Sequence, residues 1–244
     1  MNDQQTLEKL HSLRLNGMAD AFQDYLHTGP ADKRTAAEVL AELVDAECDM
    51  RQNRRTERLL KRAHLRLQAT IEELTYSPER NLDRKTVAKL TDDTWIRKGA
   101  TVLITGATGV GKSFVACALG RNACLLSFPT RYEQAPKFFP RLKQCRGEGT
   151  YRREIDRIAR TPLFILDDFG LIPLDGEDRI GLLEILEDRY GRAATIIASQ
   201  LPVSTWHQAI GEPTIADAIM DRLAHTPFIF ELSGGSQRKS RKLS

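Results

Sequence analysis

Residues 101–113 read TVLITGATGVGKS, and no other stretch narrows the choice of fold as far. TVLIT is a run of strand formers. The residues after it fit G-x-x-x-x-G-K-[ST], with Gly106, Gly111, Lys112 and Ser113 at the fixed places. A chain that curls round phosphate must turn its amide N–H groups inward, and side chains obstruct that approach, so glycine is favoured. The helix that follows presents its N-terminus to the anion. Lys112 then reaches the β- and γ-phosphates, and the Ser113 hydroxyl reaches Mg2+. The full cradle comprises Gly106, Ala107, Thr108, Gly109, Val110, Gly111, Lys112, Ser113 and Phe114. The expected ligands are therefore a nucleotide and Mg2+.

Strand, loop and helix then repeat along the chain. GKSFVACALGRNACL reads as a helix, LLSFPTRY as a short strand, YRREIDRIAR as a helix and PLFILDDFG as a buried strand. GLLEILEDRYG reads as a helix and AATIIASQ as a strand. STWHQAI and PTIADAIMDRLAH read as helices, and PFIFEL as a last strand. Continuous apolar strands separated by helices predict an α/β protein whose parallel sheet is covered on both faces.

A phosphate cradle needs an acid to hold the metal. LFILDDFG supplies Asp167 at the end of an apolar strand, where a carboxylate is costly unless a cation meets it. Asp167 is the expected metal-side acid, and Asp168 the candidate to polarise the attacking water. At the end of TIIASQ, Ser199 or Gln200 is placed to hydrogen-bond the γ-phosphate or the water; the alternative is a merely polar strand end. Arg222 in DAIMDRL reads either as a surface pair with Asp221 or as an arginine finger on a neighbouring subunit.

The first 75 residues contain no convincing strand. Leu7, Leu10 and Leu13 begin a helical stripe that LNGMADAFQDYL continues, with Gly17 as a weak point, and Gly29-Pro30 breaks it. Projected as a helix, the stretch from Arg51 to Leu74 puts Arg51, Arg55, Arg58, Arg62 and Arg66 on one face. Leu60, Ala63, Leu67, Ile71 and Leu74 fall opposite. From Arg51 to Arg66 the one acid is Glu57, against Arg51, Arg54, Arg55, Arg58, Lys61, Arg62 and Arg66. A face of nearly one sign is the candidate contact for duplex DNA phosphates, binding with steep salt dependence and little sequence reading. The basic tail, with Arg238, Lys239, Arg241 and Lys242, is a weaker candidate. The expected organisation is a helical DNA- or partner-binding domain over 1–75, a linker over 76–98, a core over 99–232 and a flexible tail over 233–244.

Composition excludes other classes. The net charge of +3 is mild, so affinity for a polyanion must come from local clusters. No apolar run reaches the ~18 residues that span a bilayer. The N-terminus lacks the apolar core of a signal peptide, so a cytoplasmic protein with no membrane partner is expected. Cys48, Cys117, Cys124 and Cys145 form no CxxC pair, and Cys117 and Cys124 read as buried thiols. The five histidines show no metal-binding spacing.

The chain resembles the IstB-type transposition helpers, small AAA+ ATPases encoded beside the transposase of bacterial insertion sequences. LRLNGMADAF, GATGVGKSFVACALG, LFILDDFG, ASQLPVSTW and AIMDRLAH carry the resemblance. It implies a P-loop NTPase core of the AAA+ type behind a smaller all-helical N-terminal domain. It implies ATP-dependent assembly into a homo-oligomer on duplex DNA, with nucleotide at subunit interfaces, and recruitment or stimulation of a transposase. Lys112 and Ser113 then belong to Walker A, Asp167 and Asp168 to Walker B, Gln200 to the sensor position and Arg222 to the finger. Four departures stand out. Gln200 is longer than the Asn usual at the sensor, and Asp168 is shorter than the usual Glu, which slows hydrolysis. Pro136 and Pro140 fall where an unbroken helix is expected. FIFEL is followed by no evident helical lid, although Arg238 could imitate a lid arginine.

The resemblance predicts a DNA-stimulated ATPase that serves a transposase. The alternative is a helicase loader acting in replication on single-stranded DNA. A small-molecule kinase would leave the arginine face unexplained, and an ATP-binding scaffold without turnover is the remaining option.

Overall fold

The computed structural model describes residues 2–28, 34–224 and 227–237. The chain forms two compact units, Met1–Arg58 and Leu59–Ser244.

The first unit is helical. It holds α1 (Asp3–Ser12), α2 (Asn16–Thr28) and most of α3 (Ala36–Ala63). Asn2 caps α1 through its side chain. Glu47 of α3 accepts hydrogen bonds from the amides of Gly17 (2.7 Å) and Met18 (3.3 Å), two of the free donors at the start of α2. Gly17 is no weak point: a Cβ there would lie 2.5 Å from the Ala46 carbonyl oxygen, so its absence lets the two helices touch. Gly29-Pro30, expected to break the helical stripe, lies outside the described residues.

The second unit is a five-stranded parallel sheet between helical layers. The strands are β1 (Thr101–Gly106), β2 (Thr130–Gln134), β3 (Leu163–Phe169), β4 (Ala194–Ser199) and β5 (Phe228–Leu232), in the order β2-β3-β4-β1-β5. β1 runs parallel to both β4 and β5, and β3 parallel to both β2 and β4. One face carries Val102, Ile104, Ile165, Ile196 and Phe230 against α6 (Lys112–Leu125). The other carries Leu103, Phe164, Leu166 and Ile197 against α7 (Ala135–Gly147), α8 (Tyr151–Ala159), α9 (Gly176–Arg189), α10 (Trp206–Ile210) and α11 (Pro213–Ala224). The central strands β1, β3 and β4 are buried and mostly apolar, as the sequence predicts, with polar residues gathered toward their ends. Cys117 and Cys124 are buried in α6, and burial pushes the Cys117 thiol up to about 11.

Three expectations change. The helix from Arg51 does not continue to Leu74: α3 ends at Ala63, and His64 takes a left-handed φ of 52°. Beyond it Leu65, Leu67, Ala69 and Ile71 pack into the core at alternate positions, so the segment follows a period of two rather than 3.6. Residues 76–98 are no linker. They contain α4 (Arg84–Ala88), capped by Asp83, and α5 (Thr94–Arg97), and they bury Leu82, Val87, Leu90, Trp95 and Ile96 in the core. The boundary between units falls at Arg58/Leu59 instead. Finally, Pro136 and Pro140 do not break α7. Pro136 sits in the first turn, where no acceptor awaits its amide, and Pro140 removes one interior bond.

Among the described residues no helix is long and apolar enough to cross a membrane. Nothing helical follows β5 up to Gln237, and the basic residues Arg238, Lys239, Arg241 and Lys242 lie outside the described residues.

Candidate nucleotide site

β1 delivers the glycine-rich loop to the C-terminal edge of the sheet, and α6 starts directly after it. Gly109 and Gly111 have φ of 90° and 100°, which a side chain would strain. The nearest obstacle to a Cβ at either is the protein itself. At Gly111 it would meet Arg80 Nη2 at 2.5 Å, and at Gly109 Ser236 Oγ at 2.7 Å. Part of the need for glycine thus comes from the chain packed against this loop.

That packing is built from two segments read as featureless in sequence. Arg80 is 4% exposed; it donates to the Thr75 carbonyl (2.9 Å) and to the Val110 carbonyl in the loop (3.4 Å). The residues after β5 lie alongside. The Ser233 amide donates to the Arg80 carbonyl (3.1 Å), and the Gln237 amide to the Gly109 carbonyl (2.9 Å).

Lys112 is buried, and its ammonium donates to the carbonyls of Gly106 (2.7 Å) and Ala107 (2.9 Å). A buried cation at a helix N-terminus, ringed by a loop of left-handed glycines, is the chemistry a triphosphate requires. Beside the loop is a cavity of about 670 Å³ lined by Pro78, Asn81, Gly106, Gln200, Glu231 and Ser233 among others. It leaves room for the remainder of a nucleotide.

The acids arrive on the strand next but one. Asp167 is fully buried at the end of β3, where the β3–β4 register shifts. Its carboxylate accepts from the Tyr132 hydroxyl (2.6 Å) and from the Asp168 amide (2.8 Å). Burial, with Asp167 beside it, holds the Tyr132 phenol protonated far above its usual range. Asp168 has a φ of 57°, a costly conformation for a non-glycine residue. Its Oδ2 accepts from Arg66 Nη1 (3.3 Å) and Gln134 Nε2 (3.4 Å). Among the described residues no three His, Cys, Asp or Glu form a metal cage. An Mg2+ ion carried by a triphosphate needs only one or two protein ligands, so the absence of such a cage does not conflict with the Ser113 and Asp167 expected from sequence.

Gln200 joins this group and Ser199 does not. The Thr108 hydroxyl donates to Gln200 Oε1 (2.8 Å), linking the loop to the end of β4. The Ser199 hydroxyl is fully buried and donates to the Phe169 carbonyl (2.6 Å). Arg222 lies elsewhere, lining a small recess with Thr101 and Thr195 at the opposite ends of β1 and β4. Its guanidinium donates to Glu187 (2.6 Å) and Asp221 (2.9 Å).

Arg51, Arg54, Arg55, Arg58, Lys61, Arg62 and Arg66 are all exposed. Arg51 pairs with Glu47 at 2.6 Å, and Arg66, beyond the end of α3, joins Asp168. Sequence reasoning missed Arg66 as a neighbour of the acids, although the alternation of LRLQATI was the signal for it. It also missed Tyr132 and Arg80, for which a lone sequence carries no mark.

A parallel sheet in this strand order, with the loop after β1 and paired acids ending β3, defines a P-loop protein of the AAA+ class. The fold matches solved structures of DnaI (TM-score 0.59, 19% identity, covering 74% of this chain and 93% of that one) and of the DnaC helicase loader (0.56, 18%, 67% and 96%). The chain belongs to the family described as IstB-like ATP binding proteins, whose profile matches residues 8–244. It is 45% identical to a Sinorhizobium fredii protein named as an insertion sequence ATP-binding protein, y4pL, over 97% of both chains. It is 39% identical to the Pseudomonas fluorescens protein named for insertion sequence IS1162, over 84% of this chain and 89% of that one.

Proposed function

We propose that the protein hydrolyses ATP with Mg2+, and that it does so as a homo-oligomer on duplex DNA in the service of a transposase. The observation that carries the hydrolytic reading is convergence: Lys112, Thr108, Gln200, Asp167 and Asp168 meet at one edge of the sheet. Bound ATP supplies the phosphoanhydride bond and the electrophilic γ-phosphorus. The amides of the loop hold its anionic oxygens, and Lys112 offsets their charge. Ser113 and Asp167 hold the Mg2+ ion. Asp168, freed of its present partners, orients the attacking water. Gln200 is tied to the loop through Thr108, so its amide reports whether the phosphates are seated. Arg222 sits too far round the sheet to serve its own loop and acts on the loop of a second copy, having left Glu187 and Asp221.

The exposed arginines of α3 support contact with duplex phosphates. Membership of the IstB-like family, and relatives named for insertion sequences, support a transposase as partner. The likeness in fold to DnaI and DnaC favours a helicase loader as the second reading. Preference for single- over double-stranded DNA in a gel shift discriminates the two.

Phosphate release by wild type, Lys112→Ala and Asp168→Asn tests the hydrolytic reading. Both substitutions are expected to lower turnover at least a hundredfold, the scale of a lost electrostatic contact in such sites. Asp168→Asn alone is expected to keep ATP affinity, read by calorimetry. Full turnover in Lys112→Ala would sink the reading.

A further inference from the structure

We propose that Arg66 is a latch on Asp168, released when a duplex polyanion takes the guanidinium, so that hydrolysis follows DNA contact. The proposal rests on the hydrolytic reading above and deepens it.

The observations are local to one unit. Arg66 Nη1 stands 3.3 Å from Asp168 Oδ2, and Gln134 Nε2 meets the same oxygen at 3.4 Å. A carboxylate oxygen that accepts from a guanidinium and an amide has fewer lone pairs to turn toward water. The pair follows a break in the helix: α3 stops at Ala63, His64 takes a left-handed φ, and the alternating segment packs Leu65 and Leu67 against the core while Arg66 stays exposed. Burial works against the charge on Arg66, yet the carboxylates of Asp168 and Asp167 beside it favour the charged form.

The same guanidinium is open to a competitor. The Arg66 side chain is 43% exposed, against 20% for Asp168. Two and four residues earlier, His64 and Arg62 line a cleft of about 480 Å³ with Arg131, Arg141, Arg153 and Arg157. Its two acids, Glu133 and Glu154, leave that cleft with an excess of positive charge. Duplex phosphates drawn to the cleft meet Arg66 next in the chain. An ion pair this exposed holds its partners weakly, so a phosphate row is a sufficient rival. Arg66 therefore acts through Asp168 and is a positioning residue.

The test is steady-state phosphate release by the full-length protein as wild type, Arg66→Gln, Arg66→Lys and Lys112→Ala, with and without a long duplex. Arg66→Gln is expected to raise the basal kcat about three- to fivefold, the population shift one exposed ion pair can impose, with KM for ATP unchanged. Duplex is expected to stimulate wild type and to add little to Arg66→Gln. Arg66→Lys, which keeps the charge, is expected to restore a low basal rate. The latch is overturned if Arg66→Gln leaves the basal rate unchanged or lower, or if duplex stimulates it as strongly as wild type. It is equally overturned if wild type and Arg66→Gln bind ATP and neither turns it over. Loss of turnover in Lys112→Ala alongside an unaltered Arg66→Gln sinks the latch alone; turnover that survives Lys112→Ala sinks the hydrolytic reading with it.

Discussion

Behind the glycine-rich loop, the Arg80 guanidinium fills the space that a Cβ on Gly111 would need, and it holds the Val110 carbonyl in place. The loop is thus shaped from outside as well as by its own torsions. Arg80→Met keeps most of the volume and removes the two hydrogen bonds. The expected outcome is a roughly tenfold loss of ATP affinity by calorimetry, equal to about one hydrogen bond from a charged donor. The fold should survive, because Leu74 and Leu82 of the same segment stay anchored in the core. The loop residues themselves were legible in sequence, since the pattern demands particular residue types at fixed spacing. Arg80 was not: its role comes from a contact with residues thirty positions further on, and YSPERN looks like a turn wherever it occurs.

Elements built on continuous apolar runs were the most legible, because a strand buried on both faces has no other composition open to it. The segment after α3 shows the opposite case. Leu60, Ala63, Leu67, Ile71 and Leu74 fit a helical projection, while Leu65, Leu67, Ala69 and Ile71 fit a strand-like alternation equally well. Packing into the core beside α6 selects the second, and with it the side on which Arg66 emerges. A further element-scale device joins β2 to α8. Arg131 bridges Glu133 (2.8 Å) and Glu154, and Arg141 reaches Glu133 (2.6 Å). Burial disfavours the Glu154 carboxylate, but Arg131 outweighs it and holds the pKa below the usual 4.5. A lowered carboxylate pKa contributes stability that is present above the unfolded value and lost as pH falls through the folded one. Glu154→Gln is therefore expected to destabilise the protein by about 1–2 kcal/mol at pH 7, because the largely buried Arg131 is left with Glu133 alone, which it shares with Arg141. In urea unfolding, the gap between variant and wild type should close below pH 4.5. A gap that persists unchanged at acid pH would contradict the assignment.

At the scale of the whole molecule, Arg222 and the phosphate loop lie at opposite edges of one sheet. A finger role then requires a head-to-tail assembly, in which each copy completes the next. Lys112→Ala and Arg222→Ala should each be inactive alone, the finger being worth 10³–10⁵ in rate where such residues act. Mixed in equal amounts, they should recover about a quarter of wild-type phosphate release, because one head-to-tail interface in four joins an intact loop to an intact finger. A mixture as inactive as its parts would remove Arg222 from the site of a second copy.

The sequence by itself determined the phosphate loop, the paired acids, the parallel α/β sheet and the family. Each depends on residue types at short fixed intervals or on buried runs with no polar alternative. Only the tertiary structure decided which residues surround that loop. It brought Arg66 to Asp168, Tyr132 to Asp167, Arg80 to Val110 and Gln200 to Thr108, and it turned residues 76–98 from a linker into part of the core. Those contacts join residues dozens of positions apart. Their geometry follows from how the layers pack, which no local pattern records.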